Sequence, residues 1–227
     1  MKKILAFVSA LIVMGGVACA GDFYNGDIQI QLGLGLNKAT IEDVSKDIDA
    51  KEFNFGLQSW HLFKPLDMLG VGFMGGFNIG AGKTENWKEP GNVSGITYED
   101  GMSASFNYEI GPAVGLYLAN IVRFGFNIGY NAGLDFETPS NYEIKDADIK
   151  GYTNVSAFYS GISLGLQAKF FPESKVNPVV GWRFVKGSAD TVEITSYATG
   201  SDYNSDSYNK KYDFTQNVLY AAISFSW

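Results

Sequence analysis

The sequence has few of the residues from which catalytic and metal centres are usually built. It contains one cysteine, Cys19, and one histidine, His61, in 227 residues. If a signal peptide is cleaved after Ala20, the remaining chain has no cysteine, which excludes disulfides and thiolate metal sites. A single histidine cannot form a zinc site of the usual kind. We therefore predict no catalytic residue, no metal site and no cofactor.

Long apolar runs are also missing. No segment reaches the roughly 18 unbroken apolar residues of a transmembrane helix. The chain starts with Met1-Lys2-Lys3, continues with a short apolar run at 4–13 and then reaches small residues before Ala20. This pattern predicts a secretory signal peptide at 1–20 and one mature domain at 21–227. A second interpretation makes Cys19 a lipidated N-terminus.

Positive charge is scarce. The chain has 17 basic and 24 acidic residues, a net charge of −7, and no basic cluster. Removal of Lys2 and Lys3 with the signal leaves 15 basic residues and a net charge of −9. An acidic chain of this kind is a poor nucleic-acid binder, so we expect no nucleic-acid partner.

What the sequence has instead is alternation of apolar and polar residues with a period of two, which is typical of β-strands. Eight segments show it: 27–36, 52–63, 69–82, 103–118, 122–136, 154–171, 176–187 and 212–227. Four polar segments (37–51, 83–102, 137–153, 188–211) alternate with three short turns (64–68, 119–121, 172–175). An even number of strands with alternating long and short connections predicts an all-β, eight-stranded antiparallel up-and-down transmembrane β-barrel.

The two faces of the predicted strands have different partners. The apolar face carries Phe, Leu and Ile, whereas the other carries Gly, Asn, Gln and Ser, with few of the charges of a soluble surface. We therefore expect the apolar face to meet lipid. The charges within strands share the polar face, and we expect them to form a lumen network: Glu109, Arg183, Asp135, Lys169 and Arg123. This network would be either a structural plug or the lining of a narrow solute path.

The bulky residues indicate how full the lumen is and where the barrel meets the two membrane interfaces. Inward-pointing Trp60, Met74, Tyr117, Tyr159 and Tyr220 favour a filled lumen, whereas the many glycines favour some space. Aromatic residues near strand ends predict two interfacial girdles. They are Phe53, Phe106, Phe136 and Tyr212 on the loop side, and Phe63, Phe124, Phe170, Phe225 and Trp227 on the turn side.

The terminal segment carries a more specific pattern. Leu219, Ala221, Ile223, Phe225 and Trp227 alternate up to the last residue, and this ending looks like the C-terminal signal read by the barrel-assembly machinery, with Trp227 where Phe is usual. The chain resembles the small eight-stranded outer-membrane barrels of the OmpW-like and OmpX-like kind. The resemblance implies a monomeric barrel among the lipids of the outer membrane of a double-membraned bacterium. Periplasmic chaperones and the assembly machinery would be transient partners.

Three local motifs invite a chemical interpretation. Residues 70–75 match G-x-G-x-x-G, but the alternation continues through them, whereas dinucleotide binding needs a helix to begin there. Asp146 and Asp148 begin a partial calcium loop whose fifth and twelfth positions, Lys150 and Ala157, are unsuitable. His61 lies at the turn end of its strand, which disfavours a catalytic set at the loop end. We therefore expect no enzyme.

Two functions remain open from the sequence. The first is a narrow channel, or a lateral path through the wall, for small apolar solutes, as the OmpW-like resemblance implies. The alternative is a non-conducting barrel whose acidic loops mediate adhesion or bind a host or matrix ligand. The candidate surface for that alternative lies in 188–211, with Tyr197, Tyr203 and Tyr208.

Overall fold

The computed structural model describes residues 24–44, 47–85, 96–98, 100–144, 149–199 and 204–227, which are largely β-structure. The strands are β1 Tyr24–Ile41, β2 Ile48–Leu66, β3 Leu69–Thr84, β4 Ile96–Tyr98, β5 Gly101–Leu118, β6 Val122–Ile144, β7 Ile149–Phe170, β8 Val176–Ala189, β9 Val192–Ala198, β10 Asn204–Tyr208 and β11 Tyr212–Ser226. Within these ranges no helix has the length and apolarity to cross a bilayer. The predicted signal peptide, Tyr203 and residues 146–148 lie outside the described residues.

Eight strands close into one antiparallel ring in the order β1-β2-β3-β5-β6-β7-β8-β11. β11 pairs with β1, placing Ile28 opposite Phe225 and Leu36 opposite Asn217. This closure leaves no free edge in the ring, so every strand satisfies its backbone groups on both sides. The predicted eight-stranded antiparallel barrel is confirmed. β4, β9 and β10 are additional short strands; β4 pairs with β6, and β9 pairs with both β7 and β10.

The short connections lie together at one end of the barrel. Ala119 and Phe171 adopt left-handed backbone conformations there, with φ of 49° and 52°. These conformations reverse the chain within a few residues and allow β5–β6 and β7–β8 to pair directly. β3 continues without interruption through residues 70–75, so the G-x-G-x-x-G match lies inside a strand and no helix begins there.

A belt of apolar side chains surrounds the ring on its outside. Leu32, midway along the outward apolar residues of β1, is 51% exposed. The polar and glycine-rich face points into the lumen, where the five predicted inward residues, Trp60, Met74, Tyr117, Tyr159 and Tyr220, are all buried. The prediction that the apolar face meets lipid is thus confirmed. The belt includes Ile28, Ile30, Leu32, Leu34, Leu36, Phe124, Phe126, Ile128, Leu219, Ile223 and Phe225.

The long polar segments are not the irregular connections that the sequence predicts. β1 continues to Ile41 and β2 begins at Ile48, while β6 continues to Ile144 and β7 begins at Ile149. The reason is a change of polarity along each strand. In β1 the outward residues change from Leu36 to Lys38 while the inward residues become apolar at Ala39. The alternation persists, but its apolar face moves from the outside to the inside.

Beyond this polarity switch the barrel has an interior like that of a soluble protein. We call this part the outer extension and define it by its apolar core: Ala39, Ile41, Ile48, Val155, Ala157, Tyr159, Val185, Ala189, Val192, Tyr212 and Phe214. Tyr159 and Phe214 stack with ring centroids 4.5 Å apart. The assignment of Tyr212 to an interfacial girdle is wrong, because its side chain lies in this core and not at the lipid surface.

The polarity switch predicts that substitution by lysine destabilises the barrel at an outward position of the lipid belt but has little effect at an outward position of the outer extension. Leu32→Lys places a charge near the middle of the lipid belt and should lower the free energy of unfolding by about 2–4 kcal/mol. Ser188→Lys, at an exposed position of the outer extension opposite Asp213, should change it by less than about 0.5 kcal/mol. Urea unfolding from lipid vesicles measures both. Equal losses in the two variants would contradict the switch.

Candidate functional site

The candidate site is the lumen, whose polar side chains lie at three levels between the short-turn end and the apolar core. The first level is centred on Asp27 of β1. Its Oδ2 lies 2.7 Å from Arg123 Nη1 and 3.0 Å from Lys169 Nζ, and all three side chains are 0% exposed. Lys169 also donates to the Ser226 hydroxyl (2.7 Å). This level joins β1, β6, β7 and β11 and blocks the turn end of the lumen.

The second level contains Glu109 of β5 and Arg183 of β8. Arg183 Nη1 lies 3.7 Å from Glu109 Oε1, and Gln58 Nε2 donates to the same oxygen (2.8 Å). A row of glutamines connects this level to Asp27. Gln31 Nε2 donates to Gln58 Oε1 (2.9 Å), and Gln29 Nε2 donates to Asp27 Oδ1 (2.9 Å). The two levels are therefore joined through hydrogen-bonded side chains.

The third level is acidic and lies next to the apolar core. It contains Glu52 of β2 with Asp135 and Glu137 of β6, each offering an oxygen within 4.8 Å of the others. Ser105 donates to Glu52 Oε2 (2.7 Å), and the Tyr212 hydroxyl donates to Asp135 Oδ2. None of the ion pairs within the described ranges involves these three carboxyl groups.

The five charges predicted from the sequence are all buried in the lumen, where they lie at three different levels. Glu109 and Arg183 are brought together, whereas Arg123 and Lys169 surround Asp27 and Asp135 belongs to the acidic level. The sequence interpretation missed Asp27, Glu52 and Glu137. Asp27 and Glu52 lie at inward positions of their strands, and this alternation could have identified them. Glu137 was assigned to a polar connection that is in fact part of β6.

The outward face of the outer extension is polar and carries the predicted loop surface. Tyr197 is 36% exposed and stacks on Tyr152, with centroids 5.5 Å apart, and Tyr208 is also exposed. The exposed ion pairs of the described residues lie here, and hydrogen bonding from Lys38 holds the pKa of Asp47 below its ordinary value. These exposed ion pairs are Lys38–Asp47, Lys51–Glu85, Lys83–Asp100, Lys150–Glu143, Lys210–Asp43 and Lys211–Asp213.

His61 lies at the opposite end of the barrel from the acidic level. Its ring stacks on Phe73, with centroids 4.9 Å apart, meets the edge of Trp227 and shares a hydrogen bond with the Tyr24 hydroxyl. These rings bury the imidazole, although His61 occupies an outward-facing position of β2. His61 is therefore part of an aromatic rim at the turn end, where Trp227 N donates to Gly26 O (3.1 Å) and ties β11 to β1.

The wall has one notable apolar groove, of about 590 Å³, between β6, β7, β8 and β11. Leu166, Trp182 and Leu219 are among the residues that line it, together with Gly125 and Gly181. Tyr220 lies directly behind Gly181, since a Cβ at that glycine would come within 2.4 Å of the tyrosine ring. The groove therefore faces lipid and ends at a buried side chain.

Comparison with known proteins supports the fold. No protein-family model matches the chain, and no curated protein sequence matches it. Among solved structures, the outer membrane protease OmpT of Escherichia coli aligns over 92% of this chain and 98% of its own, with 9% identity and a TM-score of 0.51. A major outer membrane protein of Thermus thermophilus aligns over 89% and 99%, with 7% identity and a TM-score of 0.53.

Ail, the attachment invasion locus protein of Yersinia pestis, aligns over 88% of this chain and 99% of its own, at 13% identity and a TM-score of 0.41. At such identities the similarity concerns the fold alone. A closed antiparallel barrel with an apolar belt is the architecture of bacterial outer-membrane proteins. The protein is a small outer-membrane β-barrel.

The buried charges at the first level make a stability prediction. Asp27→Asn leaves Arg123 and Lys169 without their counter-charge and should cost about 3–5 kcal/mol in the free energy of unfolding. Adding Lys169→Met to this variant should recover part of the loss, because one uncompensated cation is removed. Asp100→Asn, at an exposed ion pair, is the matched control and should leave stability unchanged. An unaffected Asp27→Asn barrel would show that this level does not hold the lumen closed.

Proposed function

We propose that this protein is a non-conducting outer-membrane barrel whose outer extension is a binding surface. The observation that carries the proposal is the filled lumen. Polar side chains at the three levels are buried, and the apolar core closes the outer end above them. A solute would have to displace both an ion-paired level and a packed core. The proposal thus favours the second of the two functions left open by the sequence.

The energetic argument concerns the first level. Separating a buried carboxylate from its cations leaves uncompensated charge in a low-dielectric interior, which costs about 3–5 kcal/mol. Arg123 also lies over the Trp60 ring, 5.4 Å from its centroid, so the guanidinium is held on more than one side. A gate that opens readily would be built from weaker contacts.

The outer extension has properties that suit recognition. Its strands are hydrogen-bonded and its interior is packed, so side chains on its surface are held by a rigid framework. Rigid aromatic side chains provide large contact areas at small entropic cost, and they are enriched at binding surfaces. The stacked Tyr152–Tyr197 pair and the exposed Tyr208 supply such groups. We propose a host or matrix ligand here and no enzymatic activity.

A lateral path for an apolar solute is the second candidate, and the wall groove is the observation that favours it. Its lining is almost wholly apolar and includes Gly125 and Gly181, which carry no side chain. Tyr220 would have to move before a molecule could pass from the groove into the lumen. Under this candidate, wild-type barrel would speed transfer of an apolar dye into lipid vesicles, and Tyr220→Ala would speed it further.

Planar-bilayer recording tests the non-conducting proposal. Folded protein, identified by heat-modifiable mobility on gels, should insert without discrete conductance steps at any applied voltage, because no continuous aqueous path crosses the lumen. A known porin prepared in the same detergent serves as the positive control. Discrete steps from the wild type, lost on Arg183→Ala, would overturn the proposal in favour of a channel through the second level.

Binding is tested with bacteria that display the barrel. Cells expressing the wild type should adhere to extracellular-matrix proteins or glycans more than cells with the empty vector. Tyr197→Ala combined with Tyr152→Ala should reduce this adhesion by about tenfold, the effect of losing one aromatic anchor worth roughly 1.4 kcal/mol. Phe158→Ala, another exposed aromatic position on β7, is the matched control. Equal adhesion by the wild type, the double variant and Phe158→Ala would contradict the assigned surface.

A further inference from the structure

The acidic level of the lumen differs from the two levels below it, because no cationic side chain of the described residues pairs with it. Asp27 is neutralised by Arg123 and Lys169, and Glu109 is approached by Arg183. Buried carboxylates are stable only when they are paired, protonated or bound to a metal ion. Glu52, Asp135 and Glu137 form no ion pair within the described ranges, so their charge is compensated in another way.

The polar atoms around this level provide a second and independent observation. Asp135 is 1% exposed, yet its Oδ1 has no hydrogen-bond partner among the described residues. Asn37 is 4% exposed, and within the same part of the chain neither its Oδ1 nor its Nδ2 is hydrogen-bonded. Asn37 stands opposite Gln216 and diagonal to Glu52 on the inward face. A bound ion or water is one of the ordinary explanations for such an atom, and Glu109 Oε2 and Arg183 Nη2 at the second level are in the same state.

The hydroxyl of Ser103 points to the same conclusion. Its Oγ lies 2.8 Å from Glu52 Oε1 and 2.9 Å from Glu137 Oε1. A serine hydroxyl has one hydrogen and can donate it to only one of two ionised carboxylates. If both carboxyl groups are ionised, two negative oxygens face one hydroxyl oxygen with a single hydrogen between them. A positive group at this point, either a cation or a further proton, resolves the conflict.

We propose that Glu52, Asp135 and Glu137 form a binding site for Ca²⁺. Their oxygens lie within 4.8 Å of one another, which suits an ion with ligands at about 2.3–2.6 Å. The surrounding candidates are also hard oxygen donors, including Ser103, Asn37 and Tyr212, and Ca²⁺ accepts six to eight such oxygens in flexible geometry. Mg²⁺ retains several waters and demands near-ideal octahedral geometry, so a densely packed interior suits it less.

The site would join strands from most of the ring. Glu52 lies on β2, whereas Asp135 and Glu137 lie on β6, across the lumen interior from it. Thr84 of β3 and Ser103 of β5 bind Glu137, and Tyr212 of β11 binds Asp135. A cation here would connect the lipid-embedded barrel to the outer extension. Because the ligands are buried, Ca²⁺ would enter during folding or local opening, and removal by a chelator would be slow.

Terbium luminescence is the direct test, because Tb³⁺ replaces Ca²⁺ and is sensitised by a nearby tyrosine. Full-length barrel is folded in detergent micelles with EDTA, or with Tb³⁺, and excited in the tyrosine band. We expect saturable Tb³⁺ emission that Ca²⁺ displaces. Asp135→Asn and Glu137→Gln should each raise the Kd for Ca²⁺ by at least about 10- to 100-fold, because the loss of an outer-shell partner alone weakens metal binding by that factor.

Exposed carboxylates provide the controls, and stability provides a readout that needs no luminescence. Glu85→Gln and Asp100→Asn should bind Tb³⁺ as the wild type does. Folding in EDTA should lower the Tm of the wild type but not that of Asp135→Asn, which heat-modifiable mobility confirms as folded. Emission that survives in Asp135→Asn and is lost in Glu85→Gln would assign the ion to the surface and overturn the proposal. Stability that is indifferent to Ca²⁺ and EDTA but rises on acidification would show that a shared proton fills the role.

Discussion

The rest of this structure depends on one constraint from the bilayer. Neither unpaired backbone groups nor charged side chains are stable in contact with hydrocarbon. It requires a closed ring, because an open sheet would leave unpaired edge groups in lipid. It also requires apolar side chains at alternate positions for as long as each strand is in contact with lipid. Where that contact ends, between Leu36 and Lys38 in β1, the demand ends and the polarity of the two faces is exchanged.

An eight-stranded ring leaves an interior only wide enough for side chains, so the inward face has to be filled. Glycines make room for large neighbours, as Gly181 does for the ring of Tyr220 and Gly125 does for Trp60. Charges inside this interior are stable only in compensated groups. The result is a lumen divided by height: an ion-paired level at the turn end, a mixed level above it, an acidic level at the polarity switch and an apolar core beyond.

Much of this architecture could be predicted from the sequence, because period-two alternation is local. Eight strands, their apolar outward face and the closing pair of β1 with β11 all follow from it. The outer extension could not be predicted in this way, because the outward residues of β1 are apolar only as far as Leu36 and the strand continues beyond it. The grouping of Asp135 with Glu52 instead of Glu109 was missed for another reason. It depends on how the strands are staggered around the ring, which alternation within one strand does not reveal.

The position of the acidic level at the polarity switch is itself a physical consequence. Below it, the lumen is polar enough to hold cationic partners such as Arg183, and above it the outward face is open to water, where Lys51 and Lys83 pair with Glu85 and Asp100. Glu52, Asp135 and Glu137 lie between these environments, buried from solvent, and no ion pair among the described residues involves them. Because their inward neighbours change there from polar to apolar, no long basic side chain can be placed above them without burying it in the core. A small hard cation satisfies the same charges without occupying the space of a side chain, which is why the switch is the level at which we expect one.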